Sequence, residues 1–159
     1  MAKRTYREFK QNFFTPINKN KCLNKDKPFF RSGLESQLMV ILDTNPNVIA
    51  WNSEGVIIPY FKKTENRWAR YFVDFYVKMK IGDAIREFLI EVKPASQVVL
   101  KEYSAKAKRS TVAYAALEYA VNQCKWEAAK QYCADRSKKG NKIDFLIITE
   151  KNIATINGK

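Results

Sequence analysis

Histidine is absent from all 159 residues. That absence removes Ser-His-Asp triads, Cys-His nucleophiles, histidine general bases and histidine zinc sites together. Any catalysis falls to carboxylates, lysine, tyrosine, serine or cysteine. Cysteine is scarce as well: Cys22, Cys124 and Cys133 are odd in number and show no CxxC spacing. They read as reduced thiols of a cytosolic protein, with no disulfide framework. No apolar run approaches the roughly 20 residues of a membrane span, so no membrane partner is expected. The opening Met1-Ala2-Lys3-Arg4 is basic and lacks an apolar h-region, so no secretory leader is expected either.

Acid is the minority charge. Sixteen Asp and Glu stand against 29 Lys and Arg, a net charge of +13. Such an excess says nothing of fold but points to a polyanionic partner, nucleic acid foremost. A generally basic assembly surface is the blander alternative. Hydrophobic residues make up 46%, enough for one domain with a real core.

Residues 1–28 read as a basic arm, with residues 29–159 as a single domain. The arm interleaves Lys3, Arg4, Arg7 and further cations with Tyr6, Phe9, Phe13 and Phe14. It lies along DNA phosphates on one reading and merely wraps the domain on the other. Ser32 and Glu35 have capping-box spacing and open a helix over 32–43, with Leu34, Leu38, Ile41 and Leu42 on one face. Asn45-Pro46 ends it. A first strand follows within 48–60. Residues 70–79 and 85–93 are strands rich in aromatic and β-branched residues, joined at Gly82-Asp83. Beyond residue 101 the pattern predicts two helices. The first covers 102–121 and packs through Ala113, Ala116, Leu117 and Ala120. The second covers 123–138, capped by Asn122 and stopped by Gly140, with Trp126, Ala129 and Cys133 inward. Ile143–Ile148 is a short buried strand. The order is helix, three-stranded antiparallel meander, helices and a final strand, an α/β (α+β) chain with a mixed sheet.

The hairpin carries the chemistry. Glu91 and Lys93 are two apart on one strand and share a face, while Phe88, Ile90 and Val92 point the other way. A two-residue turn at Gly82-Asp83 sets Asp74 directly opposite Glu91, with Cβ atoms roughly 4.5–5.5 Å apart. Two carboxylates so placed repel. A divalent cation relieves the repulsion, and hard oxygen ligands suit Mg²⁺ or Mn²⁺. Lys93 beside them is placed to act on a phosphate or a water. The alternative is a solvated sheet face carrying ordinary charges. Glu35 is a cap partner or a third carboxylate, and Glu54 is an accessory ligand or a strand-edge charge. Lys125, beside Trp126, is a phosphate contact or the solvated neighbour of a core anchor. Lys106, Lys108 and Arg109 extend a DNA-binding surface or form a plain solvated face.

Asp74 within Tyr71-Phe72-Val73-Asp74-Phe75, together with Glu91-Val92-Lys93, resembles the PD-(D/E)xK nuclease superfamily; Val73 stands where a proline is usual. A closer resemblance, from about Phe30 to Glu150, is to the head completion nucleases of T-even-like tailed phages. It rests on Phe30-Arg31-Ser32-x-x-Glu35, Asn45-Pro46-x-Val48-Ile49-Ala50-Trp51-x-Ser53-Glu54, Ile58-Pro59-Tyr60-Phe61, Arg70-Tyr71-Phe72-x-Asp74, Ile90-Glu91-Val92-Lys93-Pro94 and Lys125-Trp126-x-Ala128-Ala129. The resemblance implies a restriction-endonuclease-like core and a Mg²⁺-dependent, or Mn²⁺-dependent, DNA nuclease. It implies metal ligation by Asp74, Glu91 and the Val92 carbonyl, catalysis by Lys93, and an active-site role for Glu35. It implies work on packaged DNA in the host cytoplasm during virion assembly, beside phage head and neck proteins, with virion association left open. Two rivals remain: a non-catalytic DNA-binding neck or head assembly protein, and an endonuclease subunit of the transposase type.

Overall fold

The computed structural model describes residues 12–140 and 142–156. In chain order the elements are β1 (Asn12–Phe13), β2 (Phe29–Phe30), α1 (Gly33–Thr44), β3 (Val48–Lys62), β4 (Arg67–Ile81), β5 (Ala84–Val92), α2 (Arg109–Lys138), β6 (Ile143–Ile148) and α3 (Glu150–Ile156). Strands β3 to β6 form one four-stranded sheet in sequence order. The first three are antiparallel, and β6 joins β5 in parallel. A parallel return needs a crossover, and α2 supplies it. This is the expected mixed architecture, consistent with a restriction-endonuclease-like fold.

Helix α1 starts where its cap says it should. The Glu35 N–H donates to Ser32 Oγ at 3.2 Å, and the Asn45 N–H closes the far end on the Ile41 carbonyl. Leu38, Met39 and Leu42 then pack on Trp51, Phe75, Val77, Ile90 and Val92. The sheet's other face buries Ile58, Tyr60, Tyr71, Val73 and Leu89 against Ala129 and Cys133 of α2. The sheet is therefore sandwiched between α1 and the C-terminal half of α2.

Two expectations change. Residues 109–138 are one helix; residues 101–108 lie outside it, and Asn122 caps nothing. An Asn signals a cap only where helical hydrogen bonding stops, and here the helix runs through it. Ala113, Ala116 and Leu117 do not pack inward; Leu117 is 54% exposed. Only the C-terminal half of α2, through Trp126, Ala129 and Cys133, is buried on the protein body. Gly140, at φ +100°, ends the helix as read. The first strand forms as expected and runs on to Lys62, 15 residues with a bulge between Ser53 and Val56. Helix α3 went unread because its seven residues are too few to show a period.

Residues 12–28, assigned to the arm, run against the domain. Buried Asp43 accepts the Ile17 N–H at 2.8 Å and the Asn18 N–H at 3.2 Å. Lys21 and Leu23 exchange backbone hydrogen bonds with Trp51 on the outer edge of β3, which covers that edge. Lys3, Arg4 and Arg7 lie outside the described residues. Among those described, no helix is long and apolar enough to cross a membrane.

Candidate active site

The turn fixes the site. Gly82 sits at φ +59°, and the pairs run from Ile81↔Ala84 through Met79↔Arg86 to Phe75↔Ile90. This is the register expected from a two-residue turn. One step further sets Asp74 opposite Glu91, and the Val92 N–H donates to Asp74 Oδ2 at 2.8 Å across the hairpin.

At Asp74 strand β4 changes faces. Tyr71 and Val73 pack on the α2 side, whereas Phe75 and Val77 pack on the α1 side. Pairing explains where this happens: Ser53 meets Phe75 and Val56 meets Val73, so Glu54 and Gly55 stand opposite Asp74 alone. Two residues against one is a β-bulge, a device that re-aims side chains. Glu54 takes the left-handed φ of +52° to form it.

The consequence is an acidic pair, half-buried at Asp74 and buried at Glu91, with a polar lining. Glu91 is 2% exposed. The Tyr71 hydroxyl donates to its Oε2 at 2.6 Å, and Lys93 Nζ lies 3.2 Å from its Oε1. Burial first, then the Glu91 charge, pushes the Asp74 carboxyl well above the usual carboxylate range. The Val92 N–H and Lys93 pull it back in part, while Glu35 pushes it further up. Burial, followed by Glu91, also pushes the Tyr71 hydroxyl up, so Tyr71 stays a donor.

Lys125 reaches this pair from α2. Its Nζ lies 5.6 Å from the centroid of the Tyr71 ring. Burial lowers its pKa, with Glu91 acting against that shift. Among the described residues it makes no ion pair. With Lys62, Lys93, Gln97, Tyr103 and Asn122 it lines a cleft of about 660 Å³ between the hairpin, the residues after β5 and α2.

The remaining predicted residues fall differently. Glu35 spends both oxygens on its helix cap, Oε1 accepting from Ser32 Oγ and Oε2 from the Arg31 N–H, each at 2.9 Å. Among the described residues no three acidic or thiol side chains gather as a metal-holding group. Glu35 therefore does not close a carboxylate triad with Asp74 and Glu91 here, although its charge is felt at Asp74. Glu54 is held by Arg31, whose Nε and Nη2 reach its two oxygens at 3.0 and 3.3 Å. Lys106, Lys108 and Arg109 are exposed where α2 begins and do not line the cleft. Sequence reasoning missed Tyr71 and Arg31. On strict alternation Tyr71 would share a face with Phe75, away from Glu91; only the bulge brings it round.

The donor set fits a divalent cation. Two opposed carboxylates offer hard oxygens, and Lys93 is the one cation paired with them among the described residues. The chain matches the family described as TnsA-like endonuclease N terminal over residues 45–150. It is 33% identical over 133 residues to the head completion nuclease of Enterobacteria phage T4, covering 82% of this chain and 83% of that one. No solved structure matches it.

Proposed function

The chain belongs to the TnsA-like endonuclease N-terminal family, and from that membership we propose that it is a divalent-metal-dependent DNA nuclease of phage head completion. One observation carries the proposal. Half-buried Asp74 stands opposite buried Glu91, with Lys93 at 3.2 Å from Glu91. Two opposed carboxylates repel, and a divalent cation held by both relieves that repulsion.

Asp74, Glu91 and the Val92 carbonyl would hold Mg²⁺ or Mn²⁺. When bound, such an ion polarises a phosphodiester oxygen and lowers the pKa of a ligated water. The chain supplies the rest. Tyr71 fixes Glu91 by its hydroxyl and leaves Oε1 turned to Lys93. Lys93 orients the attacking water and meets the charge that develops on phosphorus oxygens as the P–O bond breaks. Lys125 offers a second, half-buried ammonium on the opposite wall of the cleft, suited to a DNA phosphate. Arg31 holds Glu54 at the bulge, and Glu35 adds negative potential beside Asp74. Lys106, Lys108 and Arg109, with Lys3, Arg4 and Arg7, would supply peripheral phosphate contacts.

The T4 relative's name places it at head completion. Carried to this chain, the role is processing of packaged DNA in the host cytoplasm, in company with head and neck proteins. The test is supercoiled plasmid incubated with Mg²⁺ or Mn²⁺, beside an EDTA control and Asp74→Ala. Metal-dependent nicking that disappears in the variant is the expected result. Tight DNA binding without nicking would overturn the enzyme reading.

A further inference from the structure

The β3–β4 hairpin carries a second surface that the proposed chemistry does not use. On the face turned from α2, three cross-strand pairs lie in a row: Ile57↔Phe72, Pro59↔Arg70 and Phe61↔Trp68. Their neighbours Ile58, Tyr60, Tyr71 and Val73 are buried under α2. The outer row is open, with Trp68 68%, Ile57 47%, Phe72 43% and Phe61 39% exposed. Helix α1 covers this face of the sheet only at its other end, over Trp51 and Phe75. Contiguous exposed apolar side chains of this size mark a binding surface.

The chemistry of the strip names its occupant. The Phe61 and Trp68 rings meet edge to face at 5.7 Å, and the Arg70 guanidinium lies 5.7 Å over the Phe72 ring. Among residues 61–70 Arg70 is the cation of this outer row; Lys62 and Arg67 pair on the face turned to α2, and Lys63 lies in the turn with the one acid, Glu65. That acid is taken up by Lys62 and Arg67. The row sets aromatic faces around a cation on a chain of net charge +13, a combination that binds a polyanion whose bases are free to stack. Duplex DNA presents no base faces. From Trp68 to Phe72 the strand advances about 13 Å, room for two or three nucleotides. Phe72 is two residues from Asp74, so the strip ends next to the catalytic position on β4, on the sheet face opposite Tyr71 and Glu91.

We propose that Phe61, Trp68, Arg70 and Phe72 form a stacking platform for unpaired DNA, holding a single-stranded stretch on the sheet face opposite the catalytic cleft. The proposal rests on the reading of the chain as a DNA enzyme, but its test needs no turnover. Trp51 and Trp126 are buried, so Trp68 is the exposed tryptophan among the three. Titrating the full-length protein with a dT dodecamer in EDTA should quench the Trp68 emission. Trp68→Ala should abolish the quench and weaken dT binding about tenfold, with a larger loss when Phe72→Ala is added. Thermal melts of both variants should match the parent, since the side chains are exposed. A dT oligomer that binds without quenching, or binds Trp68→Ala equally well, overturns the platform. So does a loss of self-association in Trp68→Ala with dT binding unchanged, which assigns the face to a protein contact. Failure of the parent to bind any DNA, duplex or single-stranded, overturns the nuclease reading as well.

Discussion

Asp74→Asn should stabilise the metal-free protein while destroying the enzyme. Above the raised pKa of Asp74, the substitution replaces one oxygen by an amide and removes one charge from the acidic pair. Opposed Cβ atoms in a hairpin are about 5 Å apart. Two unit charges at about 5 Å in an effective dielectric of about 20 repel by roughly 3 kcal/mol. Lys93, 3.2 Å from Glu91, offsets part of that, and its attraction to Asp74 is lost as well. A net gain of about 1–2 kcal/mol remains. The Val92 N–H keeps its acceptor, because the amide oxygen can take the place of Asp74 Oδ2. In a chain of this length that is a rise of about 4 °C in melting temperature in EDTA.

Metal reverses the order. At a hundred times its Kd, Mn²⁺ stabilises a protein that binds it only when folded by about 2.7 kcal/mol. The parent chain should gain that and overtake the variant, which has lost one of its two carboxylate ligands. Circular dichroism melts of both proteins at a pH where Asp74 is ionised, in EDTA and along a Mn²⁺ titration, read the crossing directly. A variant that melts below the parent in EDTA shows that the pair is not repulsive. A variant that keeps the full Mn²⁺ shift shows that Asp74 is not a ligand.

Other consequences follow from single contacts. Lys93→Met should lower kcat about a hundredfold or more while DNA affinity in EDTA is spared; equal losses in both would make Lys93 a binding residue only. Tyr71→Phe takes the 2.6 Å donor from buried Glu91, so stability should fall by about 1.5–3 kcal/mol in urea titrations. Asp43→Ala orphans the Ile17 and Asn18 N–H groups, two bonds worth about 3 kcal/mol together. Amide exchange at those two residues should rise before the rest of the domain opens. Burial pushes the Cys133 thiol up to about 11, so its folded state favours the neutral form. The stability this contributes is full below about pH 9 and is lost as pH climbs through about 11. At pH 8 about one thiol in a thousand is ionised, so native alkylation followed by mass spectrometry should leave Cys133 unmodified.

The sequence makes the acidic pair legible because a two-residue turn is local. Once Gly82-Asp83 is recognised, counting outward places Asp74 beside Glu91 with no knowledge of the rest of the fold. The cap at Ser32 and the buried face of α2 after residue 125 are legible for the same reason: each is written within one turn of helix. What stays hidden depends on chain that is distant in sequence. The break expected at Asn122 comes from composition, but whether a helix continues is decided by unbroken backbone bonding, and half of α2 does so without burying its Ala113–Leu117 face. Asp43 looks like a helix-end charge until residues 17 and 18 arrive to donate to it. The bulge matters most. Glu54 and Gly55 facing Asp74 alone is a property of the pairing, invisible in either strand by itself. Yet it turns Tyr71 to the side of Glu91 and leaves Trp68, Arg70 and Phe72 on the outer face. One extra residue in β3 thus separates the surface that would cut from the surface that would hold.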